Sequence, residues 1–193
     1  VIRTYDEAVY RALNYRRYLQ KFKRDLGSKA ANLCGVATMR GDLSAILCKR
    51  TYPGDGGHLV DLGFLSARLI TNTGVGFLVD DWDDSTTDIT TMTYHDSGTS
   101  STAEAATDTD LITPAGPTTR ATGTADQPAS NQLRNIGTIA YTGTLGIVEH
   151  GLFSQAARGG GSVLWDRSIF SVINVVSGDS IQFTYTLTVT AGT

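Results

Sequence analysis

The segment Ile181-Gln182-Phe183-Thr184-Tyr185-Thr186-Leu187-Thr188-Val189-Thr190 constrains this chain more than any other. Ile, Phe, Tyr, Leu and Val hold the odd positions, and Gln and four Thr hold the even ones. Side chains alternate faces along a strand, so this segment has one apolar and one polar face. That is the pattern of a half-buried antiparallel strand with one side against a core.

The same period recurs upstream. Residues 133–141, 145–153, 163–170 and 173–176 read as strands, and Ser177-Gly178-Asp179 reads as a turn. Nearer the start, residues 33–39 and 43–49 read as a hairpin around Arg40-Gly41-Asp42. In that register Cys34 faces Cys48, either bridged or as two buried thiols, and a reducing cytoplasm favours thiols. Tyr52-Pro53-Gly54-Asp55-Gly56-Gly57 is a dense turn signal. Residues 58–65, 67–71 and 76–80 are the next strand candidates, followed by an acidic bend, Asp80-Asp81-Trp82-Asp83-Asp84, with Trp82 turned inward. Only 18% of residues are charged, against about 25% in average globular chains, and Thr, Ser, Ala and Gly fill the difference. This mix suits short strands joined by tight turns. The predicted fold is mainly β: an antiparallel β-sandwich or jelly-roll-like domain preceded by an amphipathic α-helix.

That helix is predicted over residues 5–26. Ala8, Ala12, Tyr15, Leu19, Phe22 and Leu26 recur at steps of four and three and form one narrow stripe. Arg17, Lys21 and Arg24 fall on the other side. Thr4 is the expected N-cap, and Gly27 the expected stop. Residues 1–50 carry a net +7 and residues 51–193 a net −10, which together give −3. A basic head on an acidic body divides the chain into an arm, 1–32, and a β-rich domain, 33–193, with a long polar loop region at 96–130. The expected docking residues of the arm are Arg11, Tyr15, Arg16, Arg17, Leu19, Lys21, Phe22 and Arg24. Contact with an acidic protein surface fits their charge better than contact with nucleic acid.

Chemistry is hard to find. His58, His95 and His150 are far apart, and Glu149 and His150 fall on opposite faces of one strand, one exposed and the other partly buried. The Asp80–Asp84 run lacks the alternating spacing of a calcium loop and reads as a solvated turn. Gly159-Gly160-Gly161 is followed by no Lys-Ser/Thr, so it is no phosphate loop. Arg40-Gly41-Asp42 matches an integrin tripeptide, but a turn already accounts for it. No catalytic residue, cofactor, metal or membrane span is expected, and nothing directs the chain out of a cytoplasm.

Three runs carry a resemblance. Residues 151–157 (GLFSQAA), 164–170 (LWDRSIF) and 173–185 (INVVSGDSIQFTY) resemble the ending of tailed-bacteriophage structural proteins. Residues 98–109 and 119–124 resemble the middle of the same group, so the likeness covers roughly residues 95–193. The resemblance implies a non-enzymatic virion component assembled in the host cytoplasm. The first expectation is a capsid decoration, or cement, protein on the major capsid shell, with a homo-oligomer, a trimer, as its form. The alternative is a tail, baseplate or fibre-base protein that aids host attachment. A polysaccharide hydrolase needs paired carboxylates in a cleft, for which only Asp80–Asp84 and Glu149 offer the composition.

Overall fold

The computed structural model describes residues 37–50, 57–67, 70–83, 88–115 and 117–191. Arg40–Thr188 forms one compact unit, and Val1–Met39 with Val189–Thr193 falls in a second. The described residues of the first unit are mainly β. In chain order the elements are β1 (Thr38–Lys49), β2 (His58–Ser66), helix α1 (Asn72–Trp82), a 3-10 turn (Ile89–Thr91), β3 (Tyr94–Gly98), β4 (Ala121–Thr122), β5 (Thr124–Ala129), β6 (Gln132–Ala140), β7 (Leu145–Phe153), β8 (Leu164–Val175) and β9 (Ser180–Thr190).

They form two sheets, one in the order β2-β1-β9-β6-β5 and one in the order β4-β3-β7-β8. β9 pairs with β6 antiparallel from Gln132↔Thr188 to Ala140↔Ser180 without a register break. Its odd-numbered face works as the alternation requires: Ile181, Phe183 and Tyr185 are buried. They join Leu43 of β1, Ile139 of β6 and Trp165 of β8 in one apolar cluster fed by both sheets. Burying a side chain such as Phe183 contributes roughly 1.5–3 kcal/mol. A smaller cluster, Leu111, Phe153 and Leu164 with Tyr94 against it, lies beneath the chain that follows β3. The register slips between Leu152 and Phe153, so Leu152 faces Asp166 while Phe153 faces Leu164. Trp165 is the extra residue, a β-bulge that reverses the parity of β8 beyond it.

Three local expectations are corrected. Arg40-Gly41-Asp42 is not a turn but part of the continuous β1. Gly41 is there because a Cβ would collide with the ring and hydroxyl of Tyr185. With no hairpin the Cys34–Cys48 register disappears. Cys48 is a free thiol opposite Leu59 of β2, and Cys34 lies outside the described residues. Residues 76–80 are not a strand but part of α1, and Ile70 makes only an isolated bridge to Asp166. Short apolar runs do not distinguish helix from strand, and here the cap decides. The Thr71 hydroxyl accepts from Gly74 N at 3.0 Å while donating to the Leu164 carbonyl, so one side chain starts the helix and ties it to β8. Within the polar stretch 96–130 the fold places β4, β5 and the end of β3. β5 is exposed along its length and carries Pro128, as suits an edge strand.

Candidate functional site

The docking candidates Arg11, Tyr15, Arg16, Arg17, Leu19, Lys21, Phe22 and Arg24 lie outside the described residues. Within the described unit, polar groups converge on the two faces of β3 and β7.

On the face toward the main core, His95 and His150 meet. Asn135 Nδ2 donates to the Met92 carbonyl at 3.3 Å, which turns its Oδ1 toward His95 Nε2, 2.7 Å away. His95 Nε2 therefore carries the proton, and its Nδ1 accepts from His150 Nε2 at 2.9 Å. His150 Nδ1 is left buried without a hydrogen-bond partner. Its ring packs on Phe183, with centroids 4.5 Å apart. Burial pushes the His95 imidazole down to about 4, against a smaller opposing pull from Asn135. Burial, then the neighbouring His95, pushes His150 well below the ordinary histidine range. Both rings are neutral near pH 7. Space for them comes from glycine: a Cβ on Gly137 would strike the His95 ring. Beside them Ser97 Oγ lies 2.9 Å from the Tyr141 hydroxyl, and burial raises that phenol above its usual range.

On the opposite face charges pair. Arg167 Nε donates to Glu149 Oε2 at 2.9 Å, and its Nη2 lies equally close to the same oxygen. Nη1 reaches Asp108 Oδ2 at 2.9 Å, and Nη2 donates to the Thr102 carbonyl at 3.0 Å. Glu149 Oε1 accepts from Thr113 N at 2.9 Å and from Ser100 N at 3.3 Å. The pair thus binds the backbone of the long polar segment on both sides of its excursion. Gly98 is the approach point, because a Cβ there would strike both the Glu149 carboxylate and the Thr113 carbonyl. Nearby, Asp96 takes a two-pronged contact from Arg158, 2.8 Å on each arm, and lies 3.4 Å from Arg120 Nε. Arg120 stacks 3.5 Å over Phe153 and donates to the Gln155 and Ala157 carbonyls.

Glu149 and His150 do occupy opposite faces. The expectation that one of them is exposed is corrected: both are fully buried, because residues 99–113 cover the face that Glu149 occupies. Sequence reasoning missed the meeting of His95 with His150. The available signal was glycine inside strands, at Gly98 and Gly137, marking close approach. His95, Asp96, Glu149, Arg158 and Arg167 make hydrogen bonds to other groups of the protein, while His150 Nδ1 makes none. Among the described residues no three His, Cys, Asp or Glu are grouped to hold a metal ion, and no helix is long and apolar enough to cross a membrane.

The surface offers a different kind of site. Trp82 is not turned inward but is 74% exposed at the end of α1, and Val75 and Val79 are exposed on the same helix. At about 100° per residue the three fall within an arc of about 60°. Asp80, Asp81 and the C-cap Asp83 surround the helix end, whose last turn contains no basic residue.

No family model matches the chain, and neither curated proteins nor solved structures give a significant match.

Proposed function

We propose that this chain is a non-enzymatic structural protein of a tailed-bacteriophage particle, a decoration protein that docks on the major capsid shell as a homo-oligomer. In this reading the two sheets around their shared cluster are a β-sandwich, and residues 1–32 are the docking arm. The observation that carries the proposal is the contrast between interior and surface. The acid–base groups that the fold brings together, His95, His150, Glu149 and Arg167, are buried and bonded to the protein itself, whereas His58 is exposed at the start of β2. Catalysis needs such groups within reach of a substrate. The surface instead presents Trp82, Val79 and Leu59, the side chains an assembling protein covers.

The asymmetry of +7 against −10 supports an arm that meets acidic protein, and the pinned segment 99–113 supports a body made rigid for repeated contacts. The likeness over roughly residues 95–193 supports the virion setting. The test is deletion of residues 1–32 in the producing phage. Particles should form without the protein, while the truncated chain still folds. Normal incorporation of the truncated chain overturns the docking role.

A further inference from the structure

We propose that His95 and His150 form an acid-operated latch between the two sheets, which accepts one proton with its hydrogen bonds intact and opens on accepting a second. The inference is independent of the virion reading.

The place of the pair is the first ground. His95 stands on β3 and His150 on β7, in one sheet, while Asn135 and Gly137 stand on β6, in the other. The 2.7 Å bond between His95 Nε2 and Asn135 Oδ1 therefore ties sheet to sheet. Gly123 and Gly137 both approach the His95 ring so closely that a Cβ on either would strike it. Where β3 meets β6 at His95, the contact is a buried polar bond flanked by two glycines. Such a bond holds firmly while satisfied and is costly to leave unmade.

The proton inventory is the second ground. His150 Nε2–H donates to His95 Nδ1, and His95 Nε2–H donates to Asn135 Oδ1. Three of the four ring nitrogens are thus engaged. The fourth, His150 Nδ1, is buried with its lone pair unused. A proton added there lets the bridging proton pass from His150 Nε2 to His95 Nδ1. The charge then rests on His95, whose two N–H groups donate to Asn135 Oδ1 and to His150 Nε2. No hydrogen bond is lost, and the two rings titrate as one unit. A second proton finds a lone pair only at His150 Nε2, which is accepting the bridge. Taking it breaks the 2.9 Å contact and sets two cations together, with ring centroids 5.1 Å apart.

The surroundings suit one charge and not two. On β3 the Asp96 carboxylate lies on the other face, held by Arg158. On β7 Glu149 lies on that same other face, paired with Arg167. β8 brings Asp166 to the histidine side, opposite Leu152 rather than His150, with its Oδ1 taken by Ser168. β6 offers neutral Asn135, and its Arg134 is paired with Asp126. β4, Ala121–Thr122, carries no titratable group. β9 lays Phe183 against the His150 ring, and its Tyr185 hydroxyl accepts from Trp165. The Tyr141 hydroxyl is bonded to Ser97. Burial holds both imidazoles below the ordinary histidine range, so the first proton arrives only in acid.

The experiment follows the ring nitrogens of the full, 15N-labelled chain by NMR from about pH 8 to about pH 3.5, with amide exchange measured alongside. His58→Gln leaves the signals of the pair alone. At neutral pH both rings should carry their proton on Nε2. In acid a single step should make His95 doubly protonated and switch His150 to its Nδ1–H form at the same pH, with amide protection unchanged. At lower pH, protection in β3 and in β6 around Asn135 should fall by about tenfold or more before that of β9. His150→Gln, which receives no second proton, should stay closed at the pH where the wild type opens. Overturning results are two separate protonations with the fold intact, opening on the first proton, or a pair still neutral and closed at about pH 3.5. A His150→Gln chain that opens at the wild-type pH also overturns the latch. If that variant does not fold, the wild-type titration decides alone.

Discussion

Glu149 of β7 and Arg167 of β8 form an ion pair at 2.9 Å with neither side chain open to solvent. Buried pairs persist only when the remaining hydrogen-bonding capacity is filled. Here the backbone of residues 100–113 fills it on the acidic side, and Thr102 and Asp108 fill it on the basic side.

Removing one partner of this pair should be costly. Arg167→Met leaves the Glu149 carboxylate buried beside a methylene chain, and the loss is expected at about 3–5 kcal/mol in urea unfolding. The double variant Glu149→Met with Arg167→Met should recover part of that stability. It should still expose residues 99–113 to limited proteolysis, because their backbone donors lose an acceptor.

Acid should act through the histidine pair. Both folded-state values lie below the unfolded one, so the unfolded chain binds more protons as pH falls. Stability is full above about pH 6.5 and declines as pH falls below it, by up to about 1.4 kcal/mol per pH unit for each histidine. For His95 the decline continues to about pH 4. The urea midpoint at pH 5 should lie below that at pH 7.5, with no further gain at pH 8.5. His150→Gln, which keeps a donor for His95 Nδ1, should roughly halve the slope.

Asp179 tests a contact at the turn before β9. Its buried carboxylate accepts from Lys49 Nζ at 2.7 Å, Arg50 N at 3.0 Å and Val176 N at 2.9 Å. Burial alone would raise its pKa, but these donors together lower it below the usual carboxylate value. Asp179→Ala should cost about 1–3 kcal/mol by thermal or urea unfolding. Its contribution is present above about pH 4 and lost below, apart from the histidine window.

Close approach can be tested at Gly137. A methyl group there meets the His95 ring, so Gly137→Ala should cost about 1–3 kcal/mol. It should also shift the imidazole resonances of both histidines. The equivalent change at Gly143, where a Cβ meets nothing within 4 Å, is the control.

β9 was legible in the sequence because its environment is two-sided: core on one face, less buried Thr on the other. β7 was legible to its end residues although residues 149–153 are buried on both faces. β8 was not legible as one strand, because the bulge at Trp165 and the register slip between Ile147 and Glu149 interrupt its period. The helix α1 was hidden by a short apolar run that alternates like a strand, and its cap, Thr71, also bonds a carbonyl 93 residues away. Gly41 signals a turn by composition, whereas its cause is the Tyr185 ring on another strand. The buried polar centre depends on contacts between residues far apart in sequence, such as Thr113 with Glu149, 36 apart, and His95 with His150, 55 apart, which no local pattern encodes.

The most direct measurement of the central claim is the abundance of this chain in purified particles, read by quantitative mass spectrometry against the major capsid protein. A decoration protein should be present in copies on the order of hundreds per particle, in fixed ratio to the shell. Absence from particles contradicts a virion role, and a count of about six to a few dozen contradicts the capsid position.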